Sequence, residues 1–131
     1  MPALSHYKSV QVVTASPHRM LVMLLQAAQT NMQKGRAAIA AHDSAAVSET
    51  LQKAADILLA LEGVLKEDVA TELTGQLKDV YGFAVGRLTL AMVNRETRYV
   101  DEAMRALAPI AEGFAQAAQS LAGGQSAGTA P

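Results

Sequence analysis

The sequence predicts an all-α protein, an antiparallel four-helix bundle with an extended N-terminal arm and a disordered C-terminal tail, and three observations lead there. Hydrophobic residues make up 50% of the 131 residues and aromatics only 4%. A core must therefore be filled by Leu, Val, Ala and Met, a composition that favours helices over strands. Apolar residues recur at alternating four- and three-residue steps in four successive segments, the signature of one buried stripe per helix. The segments are joined by short connections, which make neighbouring helices antiparallel.

Residues 1–15 hold Tyr7, Val10, Val12 and Val13 between polar neighbours, and β-branched residues disfavour a helix. This stretch reads as an extended arm with apolar teeth. Ser16-Pro17 then starts the first helix: the Ser16 hydroxyl can accept from an orphan N–H, and Pro17 suits the first helical position, where its missing N–H costs nothing. The helix runs to about Ala41 on the stripe Leu21, Leu25, Ala28, Met32, Gly35 and Ile39. Met20-Leu21-Val22-Met23-Leu24-Leu25 is apolar all round, so this end of the helix needs burial on more than one side.

Asp43 or Ser44 caps a second helix with the stripe Val47, Leu51, Ala54, Leu58, Leu61 and Leu65, broadened by Ile57 and Val64. Glu49 precedes Lys53 by four residues, and Glu62 precedes Lys66, the order that favours a solvated helix face by a few tenths of a kcal/mol. Asp68 is a plausible cap for the third helix, whose stripe Val69, Leu73, Leu77, Val80, Ala84, Leu88 and Ala91 carries it to about Asn94. Gly75, Gly82 and Gly86 weaken that helix, each by roughly 1 kcal/mol against Ala, and are expected to allow close packing of another helix. Thr97 caps the fourth, with the stripe Val100, Met104, Leu107, Ala111, Phe114, Ala118 and Leu121. Pro109 interrupts it without shifting the phase, so a kink is expected and not a reversal. Residues 16–122 thus form one helical domain, and 123–131, rich in Gly, Ser and Ala, read as a flexible tail.

The formal net charge is −1 and the basic residues are scattered, leaving no electrostatic footprint for nucleic acid. No apolar run reaches the ~18 residues of a membrane span, and the amino terminus lacks a signal-peptide pattern, so a cytoplasmic protein without stable membrane insertion is expected. Cysteine is absent, which removes thiolate nucleophiles and Cys-based zinc sites. His6, His18 and His42 are far apart and no Glu-x-x-His occurs, so no metal and no cofactor is expected, and the histidines read as surface residues. No Gly-x-Ser-x-Gly elbow or phosphate loop is present. Asp79 and Asp101 form an acid pair only in principle, since Arg105 stands four residues after Asp101 and an ordinary ion pair is the simpler reading. No catalytic residues are assigned, and the chain reads as a non-enzyme.

What remains is apolar surface beyond what one core can receive. Met20 and Met23 are flexible and polarizable, able to fill core gaps or line an adaptable groove. Three blocks then carry a resemblance: Ala15-Ser16-Pro17-His18 with Met20–Leu25, Leu51-Gln52-Lys53-Ala54-Ala55-Asp56-Ile57-Leu58, and Leu77-Lys78-Asp79-Val80-Tyr81-Gly82-Phe83-Ala84-Val85-Gly86-Arg87-Leu88. Together they resemble the FliS family of flagellar export chaperones over about residues 7–120. The chain departs from the family pattern at Leu25-Gln26-Ala27-Ala28, at Asp68–Glu72, at Ala91-Met92, at Phe114 and at Pro109. The resemblance implies a bundle that binds the disordered carboxy-terminal segment of flagellin in the cytoplasm, blocks its premature polymerisation and helps deliver it to the export apparatus through the gate protein FlhA. The candidate partner-binding residues are Tyr7, Val10, Met20, Met23, Leu24, Leu25, Leu77, Val80, Tyr81 and Leu88, with Tyr7 and Val10 expected to cover the groove until flagellin displaces them. The alternative is a bundle that uses its spare apolar face for weak homodimerisation or as an adaptor, without flagellin.

Overall fold

The computed structural model describes residues 17–65 and 72–129, apart from the side chains at 17, 18, 118 and 121–129. The arm, Lys66, the proposed Asp68 cap and Val69 lie outside the described residues. Four helices make up the rest: α1 (Pro17–Ala40), α2 (Ser44–Gly63), α3 (Glu72–Asn94) and α4 (Thr97–Thr129). Each packs against two others, α1 and α3 both lying between α2 and α4, so the four close a ring around one core. Arg36, late in α1, reaches Asp101, early in α4, and Arg87, late in α3, reaches Glu102. These cross-links place α4 antiparallel to both of its neighbours, as the short connections predict.

The turns follow from local chemistry. At the end of α1 the His42 N–H donates to the Ile39 carbonyl and the Asp43 N–H to the Ala38 carbonyl. That paired arrangement satisfies two orphan carbonyls and requires a left-handed residue between them. His42 supplies it with φ 57°. Asp43 then caps α2, its carboxylate accepting from the Ala46 N–H at 3.2 Å. Arg95 also ends α3 in the left-handed region, with φ 59°, but by the simpler cap in which its N–H donates to the Ala91 carbonyl.

The stripes read from the sequence supply the core. Leu25, Ala28, Met32 and Ile39 of α1, Leu51 and Leu58 of α2, Ala84 and Leu88 of α3, and Val100 and Leu107 of α4 are all buried. Gly35 is buried against α2, where an added Cβ would overlap the Leu51 side chain and come within 3.0 Å of the Thr50 hydroxyl. Here the close approach of two helices requires glycine.

Packing is uneven along the bundle. At the end holding the α1–α2 and α3–α4 turns, Ile39, Val47, Ala91 and Val100 are sealed. At the other end Leu21, Leu24, Leu65, Leu77, Val80, Ile110 and Phe114 are only partly buried against the core.

Two expectations need correction, and the last helix is described as far as Thr129. Val64 does not broaden the α2 core face, because it lies past the helix end and is exposed. Leu73 lies on the α3 stripe by spacing yet is 63% exposed, because the stripe extends beyond the end of the packed core. Pro109 lies inside α4 at an exposed position, and the helix passes through it without reversing.

Candidate partner-binding surface

The helix α3 carries apolar residues on two faces. Tyr81, Ala84, Leu88 and Ala91 point into the core. On the opposite side Gly75, Asp79, Gly82, Gly86, Leu90 and Val93 are all exposed. Their steps of four, three, four, four and three residues draw a second stripe along one helix face. Phe83, 43% exposed, flanks it, and Val93 is 74% exposed. Four of the six large apolar side chains exposed among the described residues, Leu73, Phe83, Leu90 and Val93, belong to this helix.

The glycines of this stripe do not serve the internal packing that the sequence suggested. A Cβ added at Gly75, Gly82 or Gly86 would meet nothing within 4 Å. Their cost to the helix is offset by no contact within the described chain. They leave a shallow furrow of bare backbone, about 16 Å from Gly75 to Gly86 at 1.5 Å per residue.

The furrow has charged margins. The Arg87 guanidinium lies 4.8 Å from the Phe83 ring centre and its Nε is 3.4 Å from Glu102 Oε2 of α4. This holds the Phe83 ring against a cation while its other face meets solvent. Asp79 makes no ion pair or hydrogen bond with any described residue. Asp101 stands apart from it, accepting from Arg36 Nε at 2.7 Å and Nη2 at 3.3 Å across the α1–α4 seam. The acid pair is therefore not assembled, and the partner of Asp101 is Arg36 and not Arg105.

The residues singled out in the sequence divide into three sets. Tyr7 and Val10 lie outside the described residues. Leu25, Tyr81 and Leu88 are sealed in the core, so they cannot touch a partner in this conformation. Met20, Met23, Leu24, Leu77 and Val80 are half-buried, on the α1 start and the first half of α3, where the bundle is loosely closed. The exposed Phe83, Leu90 and Val93 were missed because they lie off the core stripe. Their signal was that α3 has more apolar residues than one stripe holds, with glycines in register on the same outward face.

Among the described residues no group of three or more His, Asp or Glu could hold a metal ion. No described helix is long and apolar enough to cross a membrane. The outward face of α3 is an exposed surface of apolar side chains and glycine backbone.

Comparison with known proteins agrees with that character. The family described as "Flagellar protein FliS" matches residues 1–121. The chain belongs to the FliS family. It is 27% identical to the flagellar secretion chaperone FliS of Vibrio cholerae, covering 87% of each chain. It is 28% identical to the flagellar secretion chaperone FliS of Salmonella typhimurium, over 80% of this chain and 78% of that one. The flagellar secretion chaperone FliSB of Pseudomonas aeruginosa is 27% identical over 87% of this chain and 94% of its own. All three relatives carry the name of a flagellar secretion chaperone.

Proposed function

We propose that this protein is a flagellin-binding export chaperone of the cytoplasm. It holds the disordered carboxy-terminal segment of flagellin, prevents its premature polymerisation and assists its delivery to the flagellar type III export apparatus through the gate protein FlhA. The observation that carries the reading is the family match along residues 1–121, with relatives named as flagellar secretion chaperones. Physical chemistry supports it. A disordered amphipathic segment can fold on binding, bury much apolar surface and still be released, because ordering it consumes part of the interaction energy.

The half-buried side chains Met20, Met23, Leu24, Leu77 and Val80 offer cargo a loosely closed apolar end to enter. The arm bearing Tyr7 and Val10 covers that entry in the empty protein and is displaced by flagellin. Deleting residues 2–13 is expected to strengthen flagellin binding, and weaker or unchanged binding speaks against a displaced cover.

Co-purification tests the main reading. Monomeric flagellin encoded by the same genome is expected to elute with the protein, and flagellin cut short at its carboxy terminus is expected to elute alone. Equal retention of both forms, or of neither, rejects it. Sedimentation of the protein alone tests the homodimer reading that the outward face of α3 also permits: stable self-association that added flagellin leaves unchanged favours that reading instead.

A further inference from the structure

We infer that one helix of the cargo lies along the outward face of α3, its large aliphatic side chains seated over Gly82 and Gly86 between Phe83, Leu90 and Val93, and a basic side chain meeting Asp79. The inference rests on the proposed chaperone function and names a surface for it that is distinct from the half-buried entry at Met20–Leu24.

Three features of α3 converge on that occupant. The face is long, with positions in register from Gly75 to Val93, which suits another helix better than an irregular loop. Its middle is bare backbone, open to 4 Å at Gly75, Gly82 and Gly86, so an incoming helix can approach closely and needs bulky side chains to fill the gap. Exposed apolar knobs edge the furrow, while the Asp79 carboxylate, with no ion pair or hydrogen bond to any described residue, sits within it. Covered by an apolar stripe alone, that carboxylate would be desolvated without compensation, so a Lys or Arg on the docked helix is the complementary choice. A second copy of this chain, placed antiparallel with the two faces centred on each other, brings Asp79 opposite Thr89, and the nearest basic side chain there, Arg87, is already engaged by Phe83 and Glu102.

The glycines allow a test in which fold and function move in opposite directions. Because an added Cβ meets open space, Gly82→Ala with Gly86→Ala should raise the melting midpoint by roughly 4 °C or more, as helix propensity alone dictates. Gly82→Leu with Gly86→Leu fills the furrow on an equally open face. Affinity for monomeric flagellin is read by calorimetry. The Leu pair is expected to bind at least tenfold more weakly with an undiminished midpoint. Asp79→Lys is expected to weaken binding severalfold, with the loss shrinking as salt is raised.

Binding by the Leu pair within twofold of the unsubstituted protein overturns the placement, as does an Asp79→Lys variant that binds as well at low salt. If the unsubstituted protein itself fails to bind flagellin, the chaperone reading fails rather than this surface. If the unsubstituted protein is a dimer that the Leu pair turns into a monomer with cargo affinity intact, the occupant is a second copy and the inference is wrong. Should the Leu pair melt early, the Ala pair and Asp79→Lys decide, since neither adds bulk to the core.

Discussion

The glycines of this chain are chemically identical and physically opposite. Gly35 lies where Leu51 leaves no room for a Cβ, and Gly82 where nothing stands within 4 Å. Gly35→Ala is therefore expected to lower stability by about 1–3 kcal/mol, since overpacking outweighs the gain in helix propensity. Urea denaturation of this variant beside Gly82→Ala checks it, the two midpoints shifting in opposite directions. The left-handed His42 gives a third case. A side chain at φ 57° is strained where glycine is not, so His42→Gly should stabilise by about 1 kcal/mol in the same assay. Tyr81 supplies a pH dependence. Burial pushes its phenol pKa above the ordinary 10.0. Below pH 10 both folded and unfolded states hold the proton, and above it the unfolded state loses its proton first, so stability falls with rising pH. The slope reaches up to about 1.4 kcal/mol per pH unit. In Tyr81→Phe that component of the alkaline slope should vanish, and an unchanged slope between pH 10 and 11 would show that Tyr81 does not cause it.

At the scale of the helix, what could be read in advance depended on how many faces each one buries. The four-three spacing of α2 identified its core because Val47, Leu51, Ala54, Leu58 and Leu61 all point the same way, and Leu59 is the one large apolar side chain that this helix leaves exposed. Truncating the centre of that stripe, as in Leu51→Ala, is expected to cost about 2–5 kcal/mol, read from the thermal midpoint. Spacing served α3 less well. Its core residues Ala84, Leu88 and Ala91 follow the spacing, but Tyr81 and Leu88, candidate partner contacts by sequence, are sealed, while Phe83 and Val93 face out. A helix with apolar side chains on both faces gives a weak periodic signal, so arithmetic finds the helix without saying which face is inside. The glycines could have broken the tie: three in register on one side mark a face where close packing is either complete or vacant, and only coordinates distinguish the two. The same limit applies to Asp101, whose partner Arg36 is 65 residues away and invisible to local spacing.

For the molecule as a whole, the described residues are packed unevenly. Ile39, Val47, Ala91 and Val100 near the α1–α2 and α3–α4 turns are buried, and Leu21, Leu24, Leu77 and Phe114 towards the opposite end are only partly buried against the core. A chaperone that must release its cargo gains from this arrangement, because local opening draws on the least stable part of the fold while the anchored end keeps the bundle intact. Amide exchange should accordingly be slowest around Leu51, Leu88 and Val100 and faster through residues 20–24 and 72–80. Apolar surface held open to solvent also has a thermal signature when it is covered. Titration calorimetry of the protein with monomeric flagellin at several temperatures measures it most directly. A one-to-one complex with a strongly negative heat-capacity change, abolished when the carboxy-terminal segment of flagellin is removed, is the predicted result. A heat-capacity change near zero, or one that survives removal of that segment, contradicts the account.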